Sequence, residues 1–166
     1  MKKNICVFGG SVSGKNIENQ KKAKIIGKII AENNFNIVYG GGENGIMGAV
    51  AQSGIENGAK TTGIIPNFLL KKDILDSAHS KIFNSKLIKT KTMHQRKKMM
   101  YDSSHGFLVL QGGIGTLDEC FEVLTWCQLN QIKNKNVGII NFNGYWEPLI
   151  NLIEHIIKEE YMSPNN

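Results

Sequence analysis

The chain has 166 residues, 41% of them hydrophobic and 20% charged, which excludes global disorder and suits one domain with an ordinary core. Its net charge of +6 is almost all lysine, with Arg96 the only arginine. No dense basic stripe is interleaved with aromatics, so a solvated lysine surface is expected and not a nucleic-acid-binding face.

The opening residues, MKKNICVFGGS, hold a short apolar run that glycines interrupt at once. That run is too short for the apolar region of a signal peptide, and a cytoplasmic protein is expected. No apolar stretch approaches the ~20 residues of a membrane span. The cysteines, Cys6, Cys120 and Cys127, form no CxxC pair and read as buried free thiols of a reducing compartment.

A strand is predicted over 4–9, running into Gly9-Gly10-Ser11-Val12-Ser13-Gly14, and a helix over 17–33 with Ile26, Ile29 and Ile30 on one face. A second strand over 36–40 leads into Gly40-Gly41-Gly42-Glu43-Asn44-Gly45 and a helix over 45–58. A third strand spans 61–65. The stretch 66–91, which holds one short strand at 81–84, reads as a surface loop, with a mobile flap near the site as the alternative. Helix 92–103, strand 106–111, helix 116–130, strand 136–142 and helix 145–161 complete the chain. Between strand 106–111 and the next helix lies a third glycine-rich turn, Gly112-Gly113-Ile114-Gly115-Thr116. Alternating strands and helices predict an α/β fold, a parallel sheet flanked by helices, because parallel strands need crossover connections. No repeat or linker interrupts the sequence, so 1–166 is expected to be a single domain.

Three glycine-rich turns at strand ends suit an anionic ligand. Glycine lets backbone amides approach the anion, and a following helix N-terminus adds a favourable dipole. The second turn matches G-x-G-x-x-G, but the next strand ends Ile64-Ile65-Pro66-Asn67, without the acid that a dinucleotide's ribose requires. Gly9 through Lys15 nearly meets the Walker pattern, but Asn16 replaces the hydroxyl that holds magnesium. No histidine has metal-ligand spacing. Neither a metal nor a cofactor is expected.

Gln111-Gly-Gly-Ile-Gly-Thr-Leu-Asp-Glu119 resembles the PGGxGTxxE motif of the Lonely Guy (LOG) family, the cytokinin riboside 5′-monophosphate phosphoribohydrolases. Val7-Phe8-Gly9-Gly10-Ser11, Tyr39-Gly-Gly-Gly-Glu-Asn-Gly-Ile-Met-Gly48 and Met93-His94-Gln95-Arg96-Lys97 are similar to three further family segments, in order along the chain. Such sequences are often labelled lysine decarboxylases, yet nothing here resembles a pyridoxal phosphate site. The resemblance implies a Rossmann-like fold, a homodimer, and hydrolysis of a nucleotide monophosphate to free base and ribose 5-phosphate. It implies Arg96 and Glu119 as the catalytic pair. Gly113, Gly115 and Thr116 would cradle the phosphate, and Ser11 and Met93 would lie along the nucleotide. Gly10, Gly41, Gly42, Gly112, Ile114 and Glu122 complete the expected binding set. Gln111 departs from the family's proline, and Gly9 stands where many relatives carry cysteine.

A carboxylate can stabilise the positive charge that builds on the ribose as an N-glycosidic bond breaks, and can polarise the attacking water. Glu119 has the right type, although Thr116-x-x-Glu119 also reads as a capping box. The lone arginine suggests a place that needs a planar fork of donors. Two other functions stay open: a broader purine or pyrimidine nucleotide nucleosidase, and a non-catalytic nucleotide or molybdenum-cofactor carrier.

Overall fold

The computed structural model describes residues 2–73, 86–132 and 135–163. Its strands are β1 (Asn4–Phe8), β2 (Asn36–Tyr39), β3 (Thr61–Pro66), β4 (Lys86–Thr90), β5 (Gly106–Val109) and β6 (Val137–Ile139). They form one sheet in the order β4-β3-β2-β1-β5-β6. Every pairing is parallel, with Cys6 opposite Val38 on one side and Phe107 on the other. This is the parallel sheet that the alternation of elements predicts and the Rossmann-like arrangement that the resemblance implies.

The helices are α1 (Glu18–Glu32), α2 (Gly45–Glu56), α3 (Asn67–Asp73), α4 (Met93–Asp102), α5 (Ile114–Gln128) and α6 (Glu147–Lys158). Alternation along the strands divides the core in two. Val7, Ile37, Tyr39 and Leu110 meet Ala23, Ile30, Ile46 and Val50 of α1 and α2. Cys6, Phe8, Val38, Phe107 and Val109 meet Met100, Tyr101, Cys120, Val123 and Leu149 of α4, α5 and α6. At period two, one strand supplies both layers. Among the described residues no helix is long and apolar enough to cross a membrane. All three cysteines are free thiols, and burial pushes Cys120 up to about 11.

Element ends follow local chemistry. Helix α1 stops where Asn34 turns to φ 63°, and the amide of Phe35 reaches back to the Ile30 carbonyl at 3.1 Å. Thr92 caps α4 by accepting from the Gln95 amide at 3.2 Å.

Two expectations about elements need correction. The stretch 66–91 is not simply loop: it contains α3 and β4, while the strand expected at 81–84 lies outside the described residues. Lys86 and Lys89 obscure β4 as a strand in the sequence, but β4 is an edge strand, where lysines are well suited. The α5 helix also begins at Ile114 and not at Thr116. Gly113 is its N-cap, and Thr116 donates its amide to the Gly113 carbonyl at 3.0 Å. The capping box is therefore absent, because Thr116 sits inside the first turn.

The sheet order reverses between β1 and β5. A crevice opens at such a switch point, beyond the carboxyl ends of the two strands. The first and third glycine-rich turns leave the sheet there.

Candidate active site

A cleft of about 490 Å³ lies at this switch point. Among its lining residues are Gly10, Ser11, Met93, Arg96, Gly113, Ile114, Gly115, Thr116 and Glu119. Nine of the residues expected from sequence thus come together. Gly41, Gly42, Gly112 and Glu122 do not line it. Gly9, Val12, Gly40, Met47 and Leu69 line it without having been expected. Gly40 and Met47 fall within the glycine-rich segment already singled out. Leu69 belongs to α3, in a stretch that carries no periodic signal of its own.

The turns play unequal roles. After the first, α1 does not begin until Glu18, and the side chain of Asn16 accepts the Glu18 amide at 2.9 Å. After the second, the amides of Ile46 and Met47 are taken by the Gly10 carbonyl at 2.9 and 3.3 Å. That helix end is therefore not free for an anion. The crossing is tight: Gly45 has φ 69°, and a Cβ on it would stand 2.4 Å from the Val12 nitrogen. The third turn enters α5 directly, and no backbone carbonyl among the described residues accepts the Ile114 or Gly115 amide. These are orphan donors of a helix N-terminus, opening on the cleft beside Thr116.

Helices α4 and α5 pack side by side and supply the charged groups. Buried positions Arg96, Lys97, Met100 and Tyr101 of α4 face buried Thr116, Glu119, Cys120 and Val123 of α5. Arg96 Nη2 donates to Glu119 Oε1 at 2.9 Å, with only 10% and 8% of the two side chains exposed. Arg96 Nε has no partner among the described residues. Gly40 permits this placement, since a Cβ there would stand 2.2 Å from Nη2.

At the next residue of α4, Lys97 Nζ lies 3.0 Å from both Asp118 and Glu122, and Glu122 also accepts from the Tyr101 hydroxyl. Glu122 therefore belongs to a tie between the two helices and not to the lining of the cleft.

Burial pushes the Glu119 carboxyl up to about 7. Arg96 and Lys97 oppose that rise, and Asp118 and Glu122 add to it. A group near neutrality can exchange a proton with water at ordinary pH. Among the described residues no group of three or more His, Cys, Asp or Glu is placed to hold a metal ion.

Gln111, buried at 7% exposure, donates from Nε2 to the Phe142 carbonyl at 3.1 Å, while its own carbonyl accepts the Gly10 amide at 2.9 Å. The hydroxyl of Tyr145 donates to the Gly112 carbonyl at 2.6 Å. Gly112 thus serves the turn through its backbone and not through the cleft wall.

Comparison with known proteins gives consistent matches. A family model described as "possible lysine decarboxylase" matches residues 47–166. A cytokinin riboside 5′-monophosphate phosphoribohydrolase of Arabidopsis thaliana is 38% identical over 160 residues, which cover 96% of this chain and 72% of the relative. A probable enzyme of the same name from Oryza sativa subsp. japonica is 39% identical over 161 residues, covering 97% of this chain. This chain spans only 62% of that rice protein's length. Among solved structures, a molybdenum cofactor binding protein of Rippkaea orientalis superposes with a TM-score of 0.58 at 23% identity, covering 95% of this chain and 98% of that one. The Moco carrier protein of Chlamydomonas reinhardtii gives 0.61 at 18% identity, covering 96% and 99%. At these identities the structural likeness speaks for the fold alone.

Proposed function

The chain belongs to the Lonely Guy (LOG) family, and from that premise we propose that it hydrolyses a nucleoside 5′-monophosphate to free base and ribose 5-phosphate. The substrate is cytokinin riboside 5′-monophosphate, AMP, or both. The observation that carries the reading is the buried Arg96–Glu119 pair, 2.9 Å apart, facing the same cleft as the free amides of the third turn.

The 5′-phosphate binds at the N-terminus of α5, on the amides of Ile114 and Gly115 and the Thr116 hydroxyl. Helix dipole and orphan donors both favour an anion there. Gly113 lets the phosphate approach closely, and Gly10 and Ser11 close the opposite wall. The nucleotide then runs along Met93. As the N-glycosidic bond breaks, its electron pair moves to the base and positive charge develops on the ribose. The Glu119 carboxylate stabilises that charge in a water-poor site and takes a proton from the attacking water, whose oxygen bonds to C1′. That proton leaves with the base. Arg96 fixes Glu119 and offers its remaining donors to the substrate.

A carrier needs a cradle for its cargo but has no use for a buried carboxylate held by an arginine at reacting distance from it. The protein acts as a homodimer in this reading. Ile114 and Phe121 of α5 and its C-cap Leu129 are exposed at 81%, 37% and 62% and recur at a spacing of seven to eight residues, a stripe suited to a second copy.

Incubation of the purified protein with AMP, followed by chromatography, tests the proposal. Stoichiometric adenine and ribose 5-phosphate are expected. Bound but unconsumed AMP would favour the carrier.

A further inference from the structure

The phosphate turn of this chain lacks the proline that opens the corresponding family motif. Proline fixes φ and narrows the conformations of the backbone entering a turn. Gln111 has no such constraint, and the next two residues are glycines, the least restrained of all. A turn of this composition needs another source of rigidity if its amides are to be pre-organised for an anion.

The structure supplies one from the end of the neighbouring strand, β6. Beyond β6 the chain makes a tight corner over 142–145, with Asn143 at φ 55° and Gly144 at φ 70°. The corner is itself tied down. Asn141 accepts the Trp146 amide at 2.7 Å and donates to Glu147 at 2.9 Å. From α1, Lys22 donates to Asn143 at 2.8 Å and lies over the Phe142 ring at 5.1 Å from its centroid. Two bonds then pass from this anchored corner to the turn: Gln111 Nε2 to the Phe142 carbonyl, and the Tyr145 hydroxyl to the Gly112 carbonyl. A third holds the turn to the first glycine loop, Gly10 amide to Gln111 carbonyl. The carbonyls of Gln111 and Gly112, three and two residues ahead of the first orphan amide at Ile114, are therefore both fixed.

We propose that the corner over 142–145 is a strap that presets the phosphate turn, with Gln111 and Tyr145 as positioning residues that replace, through side-chain hydrogen bonds, the constraint a proline ring gives. Neither side chain contacts the reacting atoms. Both act through the backbone of the turn, so their loss weakens phosphate recognition more than the chemical step. Proline at position 111 loses the bond to Phe142 but restores the backbone constraint. No backbone donor bond is forfeited, because the Gln111 amide has no acceptor among the described residues.

This proposal rests on the phosphoribohydrolase reading, and its test separates the two. Calorimetric titration with ribose 5-phosphate is carried out on the full chain and on Tyr145→Phe, Gln111→Ala and Gln111→Pro. Tyr145 is half exposed, so its phenylalanine variant is compatible with the fold, which the melting temperature checks. Loss of one hydrogen bond is expected to weaken ribose 5-phosphate binding about fivefold in Tyr145→Phe and Gln111→Ala. Gln111→Pro should stay within about twofold of the parent, as the ring restores the lost constraint. In turnover of AMP, KM should rise for the two weakened variants with a smaller change in kcat. Parental affinity in Tyr145→Phe and Gln111→Ala overturns the strap, and so does a proline variant as weak as the alanine one. A parent that binds ribose 5-phosphate but leaves AMP intact defeats the enzymatic reading while the strap is still judged on affinity.

Discussion

Arg96 and Glu119 occupy positions where charge is costly unless paired, and each is the other's partner. Arg96 also rests over Gly40, with its planar fork fitted between that backbone and the carboxylate. Lysine at this position keeps the charge but offers a flexible point donor. Arg96→Lys should therefore lower kcat/KM for AMP roughly 10- to 1000-fold, or about 1.4–4 kcal/mol of transition-state stabilisation. Steady-state kinetics checks this, and parental turnover would reduce Arg96 to a structural role. Glu119→Gln keeps shape and removes charge, so turnover should fall by about 100-fold or more. Its stability effect has a definite sign. The folded carboxyl is raised from 4.5 to about 7, so the native state holds a proton that the unfolded chain has released across that interval. The parent should therefore lose stability relative to Glu119→Gln as pH rises from about 5 to 7, with the difference flat above that range. Paired melting curves at several pH values would show it, and a pH-independent difference would contradict the raised carboxyl.

At the scale of elements, the α4–α5 seam decides how the pair meets. Lys97 joins the helices through Asp118 and Glu122 and is itself almost buried, while Asp118 stays half exposed. Lys97→Met keeps the stem and removes the charge, leaving two carboxylates near Glu119 without their cation. A loss of about 1–3 kcal/mol is expected, at the lower end of buried-pair effects because solvent screens Asp118. Urea unfolding measures it, and a parental midpoint would mean that the seam holds without Lys97. This seam also shows what the sequence reveals and what it hides. Arg96 stands out as the one arginine of the chain, and Glu119 through its motif. Lys97 is one lysine among many, and nothing in its spacing says that it turns inward. The Thr116-x-x-Glu119 pattern looked like a cap because a capping box is a matter of letters. Two residues of earlier helix, nucleated at Gly113, changed its meaning. Tyr145 and Gln111 were unreadable as a pair, since 34 positions separate them and only the β5–β6 neighbourhood brings them to one turn.

For the whole molecule, most of the strand and helix alternation was legible, because strands buried on both faces read as short apolar runs ended by glycines and the segments between them carry helical spacing; α3 and β4 lack both signals. The order of the sheet was not, and that order creates the crevice. Placing β5 beside β1 sets the third glycine turn against the first, and the second is used instead to lock α2 onto the Gly10 carbonyl. The exposed stripe of Ile114, Phe121 and Leu129 begins at the lip of this crevice, so a second copy seated there would lie next to the phosphate turn. Light scattering should report twice the 18.4 kDa chain mass across micromolar concentrations, and a single-chain mass throughout would contradict the dimer. In the proposed reaction, phosphate held at α5 positions a glycosidic bond against Glu119, so binding energy remote from the reacting carbon lowers the barrier there. The ratio of kcat/KM for AMP to that for adenosine measures this contribution: AMP should be favoured by about 100-fold or more, whereas comparable values for the two would contradict it.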